Sequence, residues 1–371
     1  MKIERIELIH VRLPLVGAFR TSFGTDVERD TFLLRVVTDA AEGWAEFAGD
    51  PQPLYCAEFA ASAELTLRDH LIPRVTALGQ MTAASVAPAV AQIKGHRLAK
   101  AVLETAILDA ELRGYGMSLA TCLGAVRDRV PAGVSVGIMD SIPKLLRSVA
   151  DYLAEGYLRI KLKIEPGWDI APVRAVRKEF GDGLMLQVDA NTAYSLTDAE
   201  HLRCLDEYGL VLIEQPLGED DLRGHAMLAT RLQTPICLDE SITSARDTAT
   251  AIALGSCQIV NVKPARVGGY LEARRIHDVA AANGVPVWCG GMLETGIGRA
   301  ANLALAALPG FTLPGDTSAS DRYYAEDLTA PFELEDGYLP VPSGPGIGVS
   351  VLPEALRHAT VAHRDLFVSR T

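Results

Sequence analysis

At 371 residues the chain can bury a large core and exceeds the roughly 250 residues of a bare eight-fold α/β barrel, so a second structural region is expected. Hydrophobic and charged fractions of 49% and 22% are ordinary for a globular protein, and a net charge of −12 argues against a nucleic-acid backbone as partner. The six cysteines form no Cys-x-x-Cys pair and no metal spacing with histidine, no apolar run approaches membrane-spanning length, and the N-terminus has no signal-peptide pattern. A cytoplasmic protein without a membrane partner is expected.

Residues 2–14 alternate as a strand does, and Thr31–Thr38 and Gly43–Phe47 predict two more strands. Between them the glycine-bracketed stretch Val16–Gly24, with Phe19 and Phe23, reads as a loop. Helical patterns follow over about 54–76, 82–93 and 97–114, the last apolar on most of its circumference and so buried. Strands followed by helices without alternation indicate an α+β region. Strand–helix alternation begins at Gly133–Ile138, with a helix near 143–155. Strands at 158–163, 184–189, 210–214, 236–239 and 257–263 follow, then a seventh at 285–289 and an eighth at 311–313. A helix with apolar Ile170, Val173, Val176 and Phe180 follows the second strand, and Ser195–Asp198 opens the next helix with a capping-box-like start. Beyond about residue 322 the rhythm stops, and a tail rich in Pro and Gly is expected to pack back on the N-terminal region.

Five consecutive strands end on charged residues: Lys163, Asp189, Glu214, Asp239 and Lys263, at intervals of 26, 25, 25 and 24 residues. That is the length of one βα unit, and in a parallel barrel all such ends share the face that carries chemistry. Three adjacent carboxylates repel unless something positive lies between them, and oxygen ligands without His or Cys suit a hard cation, Mg²⁺ or Mn²⁺. Lys161 and Lys163, two apart on one strand, face the same way into the barrel, where mutual repulsion is expected to lower their affinity for protons. Lys263 ends a strand four positions round, on the opposite wall, which makes a two-base arrangement about a metal-bound substrate. Arg266 is expected to depress proton affinity at Lys263 further. Gly296-Ile-Gly-Arg-Ala-Ala301 fits a G-x-G-x-x-A dinucleotide fingerprint, but Glu294, Thr295 and two glycines separate it from its strand. The glycines are expected instead to let a helix N-terminus approach an anionic group of the substrate.

These residues, with Arg20-Thr-Ser-Phe-Gly24, Arg159–Ile164, Gln187–Asn191, Ile213-Glu-Gln-Pro216, Leu238-Asp-Glu-Ser241, Asn261-Val-Lys-Pro264 and Gly290–Glu294, resemble the muconate-lactonizing subgroup of the enolase superfamily. The resemblance covers nearly the whole chain and is nearest to the N-succinylamino acid racemase / o-succinylbenzoate synthase family. It implies an α/β fold, a modified TIM (β/α)-barrel over 126–322 with an α+β N-terminal capping domain over 1–125, completed by the C-terminal tail, 323–371. It implies Asp189, Glu214 and Asp239 as Mg²⁺ ligands and Lys163 and Lys263 as acid/base lysines, acting on a small-molecule carboxylate by removal of its α-proton. Substrate contacts are implied from Lys161, Asn191, Arg266, Ser135 and Asp316 on the barrel. Gly291, Met292 and Glu294 after the seventh strand, and Phe19 and Phe23 in the loop over the barrel mouth, complete that set. The activities implied are dehydration to o-succinylbenzoate for menaquinone synthesis, racemisation of N-acylamino acids, or both, in a homo-oligomer. Muconate cycloisomerase shares the same lysines and ligands. Dipeptide epimerases usually show Asp-x-Asp where this chain has Asp316-Thr-Ser318. A non-catalytic carboxylate-binding barrel is the alternative from a different class.

Overall fold

The computed structural model describes residues 1–369. Alternation in the first forty residues produces β1 (Ile3–Arg20) and β2 (Thr25–Thr38), with β3 (Glu42–Glu46) antiparallel beside β2. The stretch expected as a loop at 16–24 is instead the outer end of this hairpin. Phe19 pairs with Asp26 and Arg20 with Thr25 after a register shift between Pro14 and Phe19, which leaves residues 15–18 without partners on β2. Proline and glycine there mark an irregularity in the ladder and not its end.

The helical patterns are shorter than expected. The first starts at Ala60, leaving residues 54–59 as a loop, and passes through a π-turn at Leu67–Leu71; the second is confined to Ala83–Ala89. The third, Arg97–Tyr115, is buried over nearly its whole length. Its backbone lies against Gly43, where a Cβ would fall 2.1 Å from the Ala106 carbonyl oxygen, so only glycine lets β3 approach this closely.

From residue 129 the chain alternates through β4 (Arg129–Pro131), β5 (Gly133–Val136), β6 (Arg159–Lys163), β7 (Met185–Asp189), β8 (Ile213–Glu214), β9 (Ile236–Leu238), β10 (Ile259–Val262) and β11 (Val287–Cys289). Strands β5 to β11 form one parallel, curled sheet in sequence order. The expected eighth strand is not a regular one. Phe311 bridges to Val287 and Gly315 to Ala132, so the segment closes the barrel through isolated bridges. Pro309 and Pro314 lack the N–H groups a continuous ladder needs. Period-2 alternation layers the interior: Leu212, Cys237, Ile259 and Trp288 pack as an apolar floor, and two positions further along lie Glu214, Asp239 and Asn261. In the tail, β12 (Tyr338–Pro340) pairs with β4 and β13 (Thr360–Val368) pairs with β1. Among the described residues no helix is long and apolar enough to cross a membrane.

Carboxylates from the N-terminal region and from the tail sit at the positive ends of barrel helices. Glu104 accepts from the Leu271 and Tyr270 backbone N–H groups that open the helix Tyr270–Ala282. Glu46 accepts from Thr295 N at 2.9 Å and Gly298 N at 3.4 Å, and Asp327 from Gly296 N at 2.8 Å, at the start of the helix Gly296–Ala306. The anion at these glycines is therefore the protein's own, which corrects the expectation of a substrate group there. Burial pushes Glu104 up to about 7. A carboxyl raised on folding favours the folded state most at low pH and loses that advantage as pH climbs from its unfolded value towards 7. Glu104→Ala is expected to cost about 1–2 kcal/mol by uncapping the helix. Glu104→Gln, which cannot titrate, should show a larger deficit against wild type at pH 5 than at pH 8 in thermal denaturation.

Candidate active site

The site is set by strand register. Lys163 lies beside Asp189 and Asp189 beside Glu214 on adjacent parallel strands, with Asp239 one residue past β9. All three carboxylates are fully buried. Their strands end in strained turns, with Asn191 at φ 41° and Gln215 at φ 37°, left-handed conformations that non-glycine residues seldom adopt. Gln215 repays the strain in hydrogen bonds: its Oε1 accepts from the Asp239 and Ser241 N–H groups at 3.0 and 3.2 Å, which fixes the end of the neighbouring strand.

Each carboxylate is drawn onto a lysine. Lys163 Nζ donates to Asp189 Oδ2 and to Asn191 Oδ1, both at 2.6 Å. Lys161 Nζ lies 2.9 Å from Glu214 Oε2, 3.2 Å from Asp189 Oδ2 and 2.6 Å from Asp316 Oδ2. Lys263 Nζ donates to Asp239 Oδ2 at 2.7 Å and to the Tyr55 hydroxyl at 3.0 Å. Burial favours the neutral amine at Lys161, but Asp316, Glu214 and Asp189 outweigh it and hold the group charged well above its ordinary range. The expected lowering by lysine–lysine repulsion is thus overridden at Lys161. At Lys263 burial is likewise outweighed, chiefly by Asp239, and its proton affinity is raised, not depressed by Arg266.

Burial and the negative charge of Asp189 push Glu214 up to about 8, even with Lys161 beside it. Burial and the charges of Asp239 and Asp189 push Glu240 up to about 7, and its Oε2 has no hydrogen-bond partner. This crowding of buried oxygen donors fits a hard divalent cation, whose charge would relieve it; Asp189, Glu214 and Asp239 would be the residues to hold one.

A small cavity, about 60 Å³, opens above these groups. Lys161, Lys163, Lys263, Asn191, Ser135 and Asp316 line its barrel side; Phe19, Phe23, Gly291 and Met292 also reach it. Two expected contacts do not. Arg266 is buried behind Asp239, donating to Asp239 Oδ1 at 2.7 Å and to the Glu240 and Ile242 carbonyls, so it fixes a carboxylate and touches no substrate space. Glu294 turns back to accept from Met292 N at 2.8 Å and Asn302 Nδ2 at 2.9 Å, holding the turn that presents Gly291 and Met292.

Sequence reading missed several residues. Arg159 and Asn261 sit two positions before Lys161 and Lys263 on the same strand face, a period that could have revealed them. Arg159 pairs with Asp316 at 2.8 Å over the Trp288 ring, and Asn261 Nδ2 donates to Glu214 Oε1 at 2.7 Å. Tyr55, which bonds Lys263 and lies 3.2 Å from Asp239 Oδ2, comes from the loop before the first helix and carried no signal.

The hairpin end is docked on the barrel. Ile138 N donates to the Arg20 carbonyl at 2.9 Å, Val16 N to the Tyr323 carbonyl at 2.9 Å, and Arg20 pairs with Glu165 at 3.0 Å. A Cβ on Gly137 would lie 2.7 Å from the Arg20 oxygen, so glycine is what admits the hairpin. Phe19 then meets Tyr323 edge-on and Phe23 packs on Tyr55, shielding the lysines from water.

The charged strand ends thus face one cavity. Residues 144–355 match the enolase C-terminal domain-like family. The chain belongs to the enolase superfamily. Within this superfamily it is 64% identical to an N-succinylamino acid racemase of Amycolatopsis sp, over 98% of each chain. It is 45% identical to an o-succinylbenzoate synthase of Geobacillus kaustophilus, over 95% of this chain and 94% of that one. The crystal structure of an enolase-superfamily member from Listeria innocua superposes with a TM-score of 0.95 at 40% identity, covering both chains completely. This protein is accordingly an enzyme of that superfamily.

Asp316 neutralises Arg159 and shares Lys161, both buried. Asp316→Ala strips Arg159 of its one ionic partner among the described residues, and removing one member of a buried pair costs about 3–5 kcal/mol. Urea denaturation should show that loss.

Proposed function

We propose that the protein abstracts the proton α to the carboxylate of a small-molecule substrate, serving as an o-succinylbenzoate synthase, an N-succinylamino acid (N-acylamino acid) racemase, or both. The observation that carries this reading is the pair Lys163, at the end of β6, and Lys263, one residue past β10, lining one cavity from strands four positions apart in the sheet. The names of the most similar relatives support it.

Lys163 takes the α-proton from one face, leaving an enediolate. In racemisation Lys263 delivers a proton to the opposite face and the configuration inverts; started from the other enantiomer, the roles exchange. In dehydration Lys163 both removes the proton and protonates the departing hydroxyl, while Lys263 remains a positive neighbour. Asn191 and Tyr55 aim the two ammonium groups, and the phenylalanines exclude water. A divalent cation, Mg²⁺ or Mn²⁺, held by Asp189, Glu214 and Asp239 would supply the charge that offsets the second negative charge of the enediolate.

Exhaustive chelation should therefore abolish turnover, with Mg²⁺ or Mn²⁺ restoring it, and Asp239→Asn should fold but bind the cation more weakly by calorimetry. Full activity in a metal-free preparation contradicts the assignment.

The lysines should also divide the substrate between them. In D₂O wild type should exchange the α-hydrogen of both enantiomers of an N-succinylamino acid. Lys163→Ala should exchange only the enantiomer whose hydrogen faces Lys263, and Lys263→Ala only its mirror image. Each should lose racemisation by roughly 10²–10⁴-fold. Exchange of both enantiomers by either variant means that another group is the base, and no exchange by wild type favours a non-catalytic barrel.

A further inference from the structure

The cavity is electrostatically two-ended. Its cations, Lys161, Lys163 and Lys263, all stand at the barrel end and are all engaged by carboxylates there. The opposite wall, built by the N-terminal region, contributes two more carboxylates, Asp26 and Asp50. Asp26 stands on β2 directly across the hairpin from Phe19, so its place at the cavity follows from the same register that brings the phenyl ring there.

The nearest compensating charge at this end is Arg29, which is fully buried and divided between partners. Its Nη1 lies 3.3 Å from Asp50 Oδ1, its Nε 3.7 Å from Glu46 Oε1, and its Nη2 donates to the Phe47 carbonyl at 3.2 Å. One guanidinium thus answers Glu46 and Asp50, while among the described residues no lysine, arginine or histidine pairs with Asp26. Burial chiefly, and then the charge of Asp50, raise the Asp26 carboxyl against the opposing pull of Arg29, which forms no ion pair with it.

We propose that Asp26 and Asp50 are specificity-determining residues that take a cationic group of the substrate, a guanidinium or alkylammonium remote from the reacting carbon. The inference rests on the α-proton chemistry proposed above and names the substrate class. Like charge disfavours an acyl carboxylate at this end, so in an N-succinylamino acid the amino-acid side chain is the group that reaches Asp26 and Asp50. The ligands are then N-acyl derivatives of basic amino acids.

The test compares N-succinylarginine with N-succinylcitrulline, a neutral isostere, on the Mg²⁺-loaded enzyme at low ionic strength. Wild type should favour arginine in kcat/KM by on the order of tenfold or more, as expected for a hydrogen bond to a charged group. The preference should shrink as salt is raised. Asp26→Asn and Asp50→Asn should each reduce the ratio, and the double variant should bring it near one. The wild-type comparison needs no variant, so a misfolded substitution does not hide the answer. A wild-type ratio near one or below, with both substrates turned over, overturns this inference alone. So does a ratio unchanged in the double variant. Absence of α-deuterium exchange with any N-succinylamino acid, N-succinylmethionine included, overturns it together with the proposed function.

Discussion

Three carboxylates end neighbouring parallel strands, whose backbones are spaced about 4.8 Å apart, and two like charges at about that distance repel by roughly 3 kcal/mol at a protein-like dielectric. Asp189 and Glu214 are register partners, and Asp239 follows on the next strand. Burying such a row is tolerable only if positive charge is brought to it, and the surrounding structure does so from every side. Lys161 and Lys163 come from the strand before, Lys263 from the strand after, and Arg266 from the turn behind. Asn261 and Gln215 supply neutral donors and acceptors that orient what the charges attract. Glu214 and Glu240 remain raised even so, by burial and by the charges of the neighbouring carboxylates.

The N-terminal region meets this site in two mechanically different ways. At one edge it is clamped: Glu46 and Glu104 reach the N-termini of two barrel helices, where partial positive charge and unpaired N–H groups reward a carboxylate. At the other edge the β1–β2 hairpin leans over the cavity on two backbone hydrogen bonds and the Arg20–Glu165 pair. Phe19, Phe23, Asp26 and, from the following loop, Tyr55 are delivered together by this construction.

What the sequence by itself determined is the part that depends on local backbone geometry. Apolar runs recurring every 24–26 residues predict βα units, and alternation within a strand assigns Lys161 and Lys163 to one face. From these follow the parallel sheet and the meeting of Lys163, Asp189, Glu214, Asp239 and Lys263. The last barrel segment was readable in position but not in form, because prolines at 309 and 314 turn a strand into two isolated bridges. Only the tertiary structure decided how distant segments meet. Tyr55 reaches Lys263 across 208 residues of chain, and Arg159 finds Asp316 across 157. Arg266 and Glu294 turn away from the cavity because Asp239 and the Gly290–Leu293 turn offer their polar groups better partners than open space does. Periodicity fixes which face a side chain takes on its own element; which element from elsewhere in the chain will lie against that face is set by the packing of the whole, and no local pattern encodes it.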